Sequence, residues 1–292
     1  MDNPLAGSPG ESSDEALAAR AASGDREAVE RLLVHHQPWI FNIAMRMLWR
    51  RADAEDATQD ILIKILKGLG TYRGQSAFRT WVYRIAVNHI IDMRQQDWRI
   101  AAPRRSFDQR TRMLAELPDA DWPDPRTVPV PFEILVEEAK IGCTMGVLLC
   151  LDGRQRLVFV LAEILGATDE VGAKIVGVSR ANFRQILSRA RRDLYQYLNG
   201  SCSLVNPACE CTCARKARGF LAKGFLDPER LVFTAKRRQQ VRDVVRARAD
   251  ELTRAYETFG ANVFHDHPFY ECRDAAAMLR KALATLSPDL VT

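Results

Sequence analysis

An aromatic ring beside a guanidinium and an amide can stack on and hydrogen-bond to unpaired bases, and Trp81, Arg84 and Asn88 offer that set at helical spacing, with Asp92 a turn further on. Just upstream, Gly70-Thr-Tyr-Arg-Gly-Gln75 reads as a glycine-bracketed loop whose Tyr72 and Arg73 suit the reception of a flipped base. A second set lies at Arg180, Arg184, Arg189, Arg191 and Arg192, a stretch with no acid in it, where Asn182, Gln185 and Ser188 share the outward side. Such side chains hydrogen-bond to base edges and phosphates in a major groove. A third set is Cys202, Cys209, Cys211 and Cys213. Once deprotonated, four thiols could hold zinc or another soft metal such as copper. Their spacing is not the paired C-x-x-C of a zinc ribbon, so a redox role and no metal role at all stay open beside it. His265, His267 and Cys272 could add ligands, although an exposed or hydrogen-bonded histidine is the ordinary case.

The elements that must position these groups all read as helices. Apolar residues return every three or four positions at Val29, Leu32, Ile40, Ile43 and Met47, then at Ala57, Ile61 and Ile65, then at Phe78, Val82 and Ile85. Asp53 is placed to cap the second of these helices and Ser76 the third. With Ala57, Ile61 and Ile65 turned inward, Asp56, Gln59, Asp60 and Lys64 fall on one outward, largely acidic face. By itself such a face is more often a solvated surface. A second helical block runs over 132–199. In it a short helix, Asp169–Val176, is followed by Gly177, which can take the positive φ of a sharp turn, and by Ser179, which can cap the basic helix. Phe183, Ile186, Leu187 and Ala190 supply that helix's buried stripe. The expected fold class is therefore all-α.

Between the two blocks, Pro103, Pro118, Pro123, Pro125, Pro129 and Pro131 predict an extended linker over 98–131. The Gly-, Ser-, Pro- and acid-rich N-terminus predicts a disordered tail over 1–20. Residues 21–97 form the first domain and 132–199 the second, and 200–292 form a cysteine-containing extension that turns helical again over 237–259. The chain of 292 residues carries 42 basic and 37 acidic side chains, a net charge of +5 that permits nucleic-acid binding without requiring it. No apolar run is long enough to span a bilayer, and the N-terminus lacks a secretory pattern, so a cytoplasmic protein with no membrane insertion is expected. In that compartment the seven cysteines point to free thiols, metal ligands or sensors rather than disulfides.

The run Asp53–Leu66, followed by Tyr72–Asn88 and Ile91-Asp-Met-Arg94, resembles region 2 of the extracytoplasmic-function (ECF) sigma factors, within the sigma-70 family of bacterial RNA polymerase. Arg156–Leu194, ending in Arg189-Ala-Arg191, resembles region 4 of the same family. Here Gly172 stands where alanine is usual, and Arg184-Gln-Ile186 replaces a more basic triplet. The resemblance implies a promoter-recognition subunit with no catalytic site and no required cofactor. It implies that Asp56, Gln59 and Asp60 meet the β′ clamp helices of core polymerase. It also implies that Tyr72, Arg73, Ser76, Arg79, Trp81, Arg84 and Asn88 lie in the segment that captures the −10 strand of promoter DNA, where Phe78 falls as well. Ser179, Arg180, Asn182, Arg184, Gln185, Ser188, Arg189 and Arg191 would belong to the −35 reader, whose module also touches the β flap. An anti-sigma factor is a further expected kind of partner, and the extension is expected to act as a tethered regulator. Two other readings stand beside this one. A helix-turn-helix regulator that binds DNA without core polymerase explains 169–192 but leaves 53–92 idle, and a metal- or redox-sensing regulator rests on the cysteines. A thiol or metal enzyme would need a base or open ligand position near Cys202–Cys213, and no H-E-x-x-H or His–Cys arrangement stands there.

Overall fold

The computed structural model of the chain describes residues 11–96, 106–232, 269–270, 272 and 275–284. Among them there are helices and no strands, in keeping with a sequence that shows the 3.6-residue period and no alternation. The helix expected over 237–259 and the histidines at 265 and 267 lie outside the described residues.

The contacts group the chain into two compact units, the first comprising 1–103, 153–190 and 269–292, the second 104–152 and 191–268. This grouping crosses the boundaries expected from the prolines. The segment 153–190 joins the first unit because Leu157, Val158, Phe159, Val160 and Leu161 are all buried, and because Arg156, fully buried beside them, donates to the Met47 carbonyl at 3.3 Å.

In the first unit, α1 (Glu11–Ala22), α2 (Arg26–Leu48), α3 (Arg51–Gly68) and α4 (Phe78–Gln96) pack together. The tail expected over 1–20 is thus helical from Glu11. Its acids are used internally rather than solvated: Asp14 is buried, and the Phe78 N–H donates to Glu15 Oε1 at 3.0 Å. Helix α2 starts where Asp25 caps the Ala28 N–H, and α3 starts at Arg51, two residues before the expected cap at Asp53. Asp53 sits instead in the first turn, where the macrodipole favours an anion. Ala57, Ile61, Phe78 and Val82 are fully buried, as their spacing predicts. Ile85 is only half-buried, and Tyr83, Ala86 and Val87 take the core in its place.

The first unit also holds α7 (Gly153–Phe159), which runs into a π turn over Val160–Ile164, and α8 (Asp169–Val176), which rests on α4. Helix α9 (Arg180–Ser201) contributes its first half here. Helix α11 (Ala275–Leu283) lies on α3 and α2.

The second unit contains α5 (Phe107–Ala115), α6 (Phe132–Leu148) and α10 (Cys213–Ala222). Helix α5 falls inside the expected extended linker. The prolines spare this stretch, and Ser106 with Gln109 forms a reciprocal capping box at its start. The later prolines do end the helix, and Trp122 then stacks on Phe132 at 4.4 Å. Ala217 of α10 is buried in one cluster with Ile134, Leu135 and Ala139 of α6, joined by Leu226 and Leu231. The first part of the extension is therefore core rather than appendage.

Candidate nucleic-acid interface

The loop before α4 is ordered by its own aromatic rings. Tyr72 meets Phe78 edge-on at 5.3 Å and Trp81 at 5.4 Å, and its hydroxyl donates to the Ser76 carbonyl at 2.6 Å. Gly74 takes φ 68°, the left-handed turn that its lack of a Cβ permits. Trp81 is half-buried because it lies over Gly68, where an added Cβ would come within 2.8 Å of the indole. Phe78 is completely buried and serves as the floor under both rings, so it offers no surface to a base. Ser76 was expected to cap α4, but the Phe78 N–H is taken by Glu15 from α1. Around this floor Arg73, Arg84 and Asn88 are exposed, while Tyr72, Ser76, Arg79 and Trp81 are partly so.

On α3, Asp56 and Asp60 are exposed and Gln59 is half-exposed, one helical face as the spacing predicts. The ends of this face are not free. Lys64 Nζ lies 2.7 Å from His89 Nδ1, and His89 Nε2 lies 3.7 Å from Asp60. Burial and the neighbouring Lys64 hold His89 below its ordinary value, so it is neutral at pH 7. Gln59 Oε1 accepts from Lys281 of α11 at 3.3 Å.

The pair α8 and α9 forms a helix-turn-helix. Thr168 caps α8, Gly177 turns with φ 72°, and Ser179 Oγ accepts from the Asn182 N–H at 3.2 Å. Phe183 is fully buried and presses on α8 at Gly172, where a Cβ would stand only 2.4 Å from the ring. The absence of a side chain at 172 is thus matched by this ring. Arg180, Asn182, Arg184, Gln185, Ser188, Arg189 and Arg191 are all exposed. Periodicity alone did not reveal Asp169, which pairs with Arg180 at 2.8 Å and with Arg184. Those two arginines hold its carboxyl below the usual range.

The sigma-70 region 2 family matches residues 32–100, from within α2 through α3 and α4. The ECF RNA polymerase sigma factor SigM of Mycobacterium tuberculosis strain Erdman is 30% identical over 188 residues, covering 64% of this chain and 85% of that protein. The chain is an ECF sigma factor. The RNA polymerase sigma-H factor of Pseudomonas aeruginosa is 39% identical over 75 residues, 26% of this chain and 39% of that protein. Among solved structures, CnrH in complex with the cytosolic domain of CnrY is similar with a TM-score of 0.46 and 23% identity, covering 64% of this chain and 97% of that one.

The cysteines of this sigma factor are arranged differently from their sequence order. Cys202, Cys211 and Cys213 line a cavity of about 30 Å³ in the second unit together with Cys143 of α6, whereas Cys209 turns to the Asn199 carbonyl. Arg110 reaches the same place, donating to the Cys143 carbonyl at 2.6 Å and to its sulfur at 3.1 Å. Burial pushes the Cys202 thiol up to about 11 and the Cys213 thiol up to about 12, and raises Cys211 as well. Those thiols are therefore protonated at neutral pH, the opposite of what a reactive sensor thiolate needs. Nothing in the sequence near Cys202–Cys213 pointed to Cys143.

Proposed function

We propose that this sigma factor directs core RNA polymerase to promoters in the cytoplasm, with α3 docking on the polymerase clamp, the 72–88 segment capturing an unpaired −10 strand, and α9 reading −35 DNA. The carrying observation is the outward face of α3. Asp56 and Asp60 stand exposed there, in the bundle whose next helix presents Trp81, Arg84 and Asn88. A DNA-binding regulator that never meets core would have no use for that face. No catalytic step is assigned to any of these residues, and no helix among the described residues is long and apolar enough to cross a membrane.

The test is run-off transcription with purified core polymerase on the gene's own upstream region, comparing the chain with Asp60→Arg. Specific initiation that Asp60→Arg loses, with its DNA binding intact, supports the reading. Initiation indifferent to Asp60→Arg, or DNA binding without initiation by either protein, overturns the docking assignment.

A regulatory role for the C-terminal residues is favoured by a separate observation. Helix α11 lies on α3 and α2, Lys281 holds Gln59, and Tyr270 is tied to Asn42 by two hydrogen bonds of 2.7 and 2.8 Å. These residues overlap the α3 face that core polymerase would use, so they compete with docking. Truncation after residue 232 keeps α10 in its core and removes the competitor. Tighter core binding by the truncated chain is the expected result, and equal or weaker binding would remove the role. An anti-sigma factor would use the same exposed faces. For the thiols, a soft metal would have to draw Cys143, Cys202, Cys211 and Cys213 closer together than the shared cavity wall holds them and displace their protons.

A further inference from the structure

We propose that Asp14, His35 and His36 form a binding site for a divalent transition cation of the zinc class, clamping α1 to α2. These three residues offer one ligand atom each, all within 4.8 Å of one another, and among the described residues no other such group of three histidine, cysteine or carboxylate donors occurs. Asp14 and His36 are buried, with 6% and 2% of their surface exposed, and the two imidazoles lie nearly parallel with centroids 4.9 Å apart.

The spacing is what distinguishes a cation site from an ordinary ion pair. His35 Nδ1 is 3.3 Å from Asp14 Oδ1, and His36 Nε2 is 3.4 Å from Asp14 Oδ2. Yet Asp14 Oδ1 and His36 Nε2 are both buried without a hydrogen-bond partner, because the atoms are close but not aligned. Two ligands at roughly 2.0–2.1 Å from one ion and a tetrahedral angle apart stand about 3.3–3.4 Å from each other. Each imidazole stands at about that distance from a different oxygen of Asp14, so a small rotation of the carboxylate would let all three residues share one ion.

The surroundings point the same way. His36 Nδ1 lies 3.2 Å from the Tyr83 hydroxyl, which by accepting from Nδ1–H would leave the Nε2 lone pair for an ion. A carboxylate buried with only two imidazoles beside it is short of countercharge, and a divalent ion would supply it. Two imidazoles and one carboxylate select the zinc class over magnesium or calcium. The site does not depend on the promoter-binding assignment. Its consequence for that assignment is that Glu15, next to Asp14, accepts the Phe78 N–H of α4, so the ion would also stiffen the start of the strand-capturing helix.

The experiment uses the full chain, stripped with a chelator and then titrated with zinc and with cobalt(II). Zinc should bind and raise the melting temperature, and the equivalent responsible should be lost in Asp14→Asn and in His35→Ala. Cobalt should show an absorption component of nitrogen and oxygen ligation that disappears in the same two variants, distinct from the intense thiolate band of any cysteine site. Asp14→Asn removes a buried charge and can cost folding, so half-buried His35→Ala is the deciding variant, with its fold checked by circular dichroism. Zinc stoichiometry and melting shift unchanged in folded His35→Ala would overturn the site. So would cobalt spectra containing the thiolate band alone, or no binding at micromolar metal.

Discussion

In α4 the side chain aimed at unpaired bases, Trp81, is half-buried and held against Tyr72, Phe78 and Gly68, whereas the arginines of α9 stand in solvent, where Asp169 steers Arg180 and Arg184. The first surface depends on preorganisation: rings stack on a base only if the loop and helix already hold them at the right angle. The second depends on charge and needs only a helix presented at the correct pitch. Damage to packing should therefore act on α4 through geometry and on α9 through the α8–α9 seam, while damage to charge should matter most in α9.

The largest effect is expected at that seam. Gly172→Ala forces the Phe183 ring away and should destabilise the chain by about 1–3 kcal/mol, read as a lower urea midpoint with an unchanged slope. It should also weaken binding to duplex DNA. An unchanged midpoint would mean that the helix-turn-helix tolerates a slack seam, and the contrast with α4 would lose its structural half.

Next, Trp81→Ala should weaken binding to a single-stranded −10 oligonucleotide by roughly 1 kcal/mol or somewhat more, the worth of one base stacked on an aromatic ring. Duplex binding and its salt dependence should not change. Equal losses on single and double strands would show that Trp81 acts only as core, and that α4 and α9 do not divide the work as described.

A smaller effect sharpens the other side. Arg189→Ala should weaken duplex binding about equally across sequences and reduce the slope of log K against log salt by about 1 if the guanidinium meets a phosphate. A loss confined to particular base pairs would make Arg189 a base reader.

The smallest change is expected for Asp169→Asn. The carboxylate is depressed below its ordinary value by Arg180 and Arg184, so the pairing is present above the carboxyl's unfolded value and is lost only as pH falls through the lower folded one. At neutral pH the variant frees both arginines. Duplex affinity should rise slightly and fold stability should barely move, because both arginine partners lie in solvent, which screens the pairing. A fall in affinity would mean that Asp169 positions the arginines for DNA rather than competing with it.

The sequence by itself determined the helices and their outward faces. A 3.6-residue period placed Asp56 and Asp60 of α3 on one exposed side, and Gly177 with Ser179 fixed the turn and the start of α9, because each of those signals lies within a few residues of what it controls. Where the signal was compositional it misled. A Gly- and Ser-rich beginning concealed α1, and prolines on either side concealed α5, since neither composition nor flanking breakers report a carboxylate that finds a partner far along the chain. Only the tertiary structure decided that Glu15 takes the Phe78 N–H 63 residues away, that Cys143 replaces Cys209 among the gathered thiols, and that Lys281 reaches Gln59 across 222 residues. These contacts join residues far apart in the chain, so which partner arrives depends on how the helices pack.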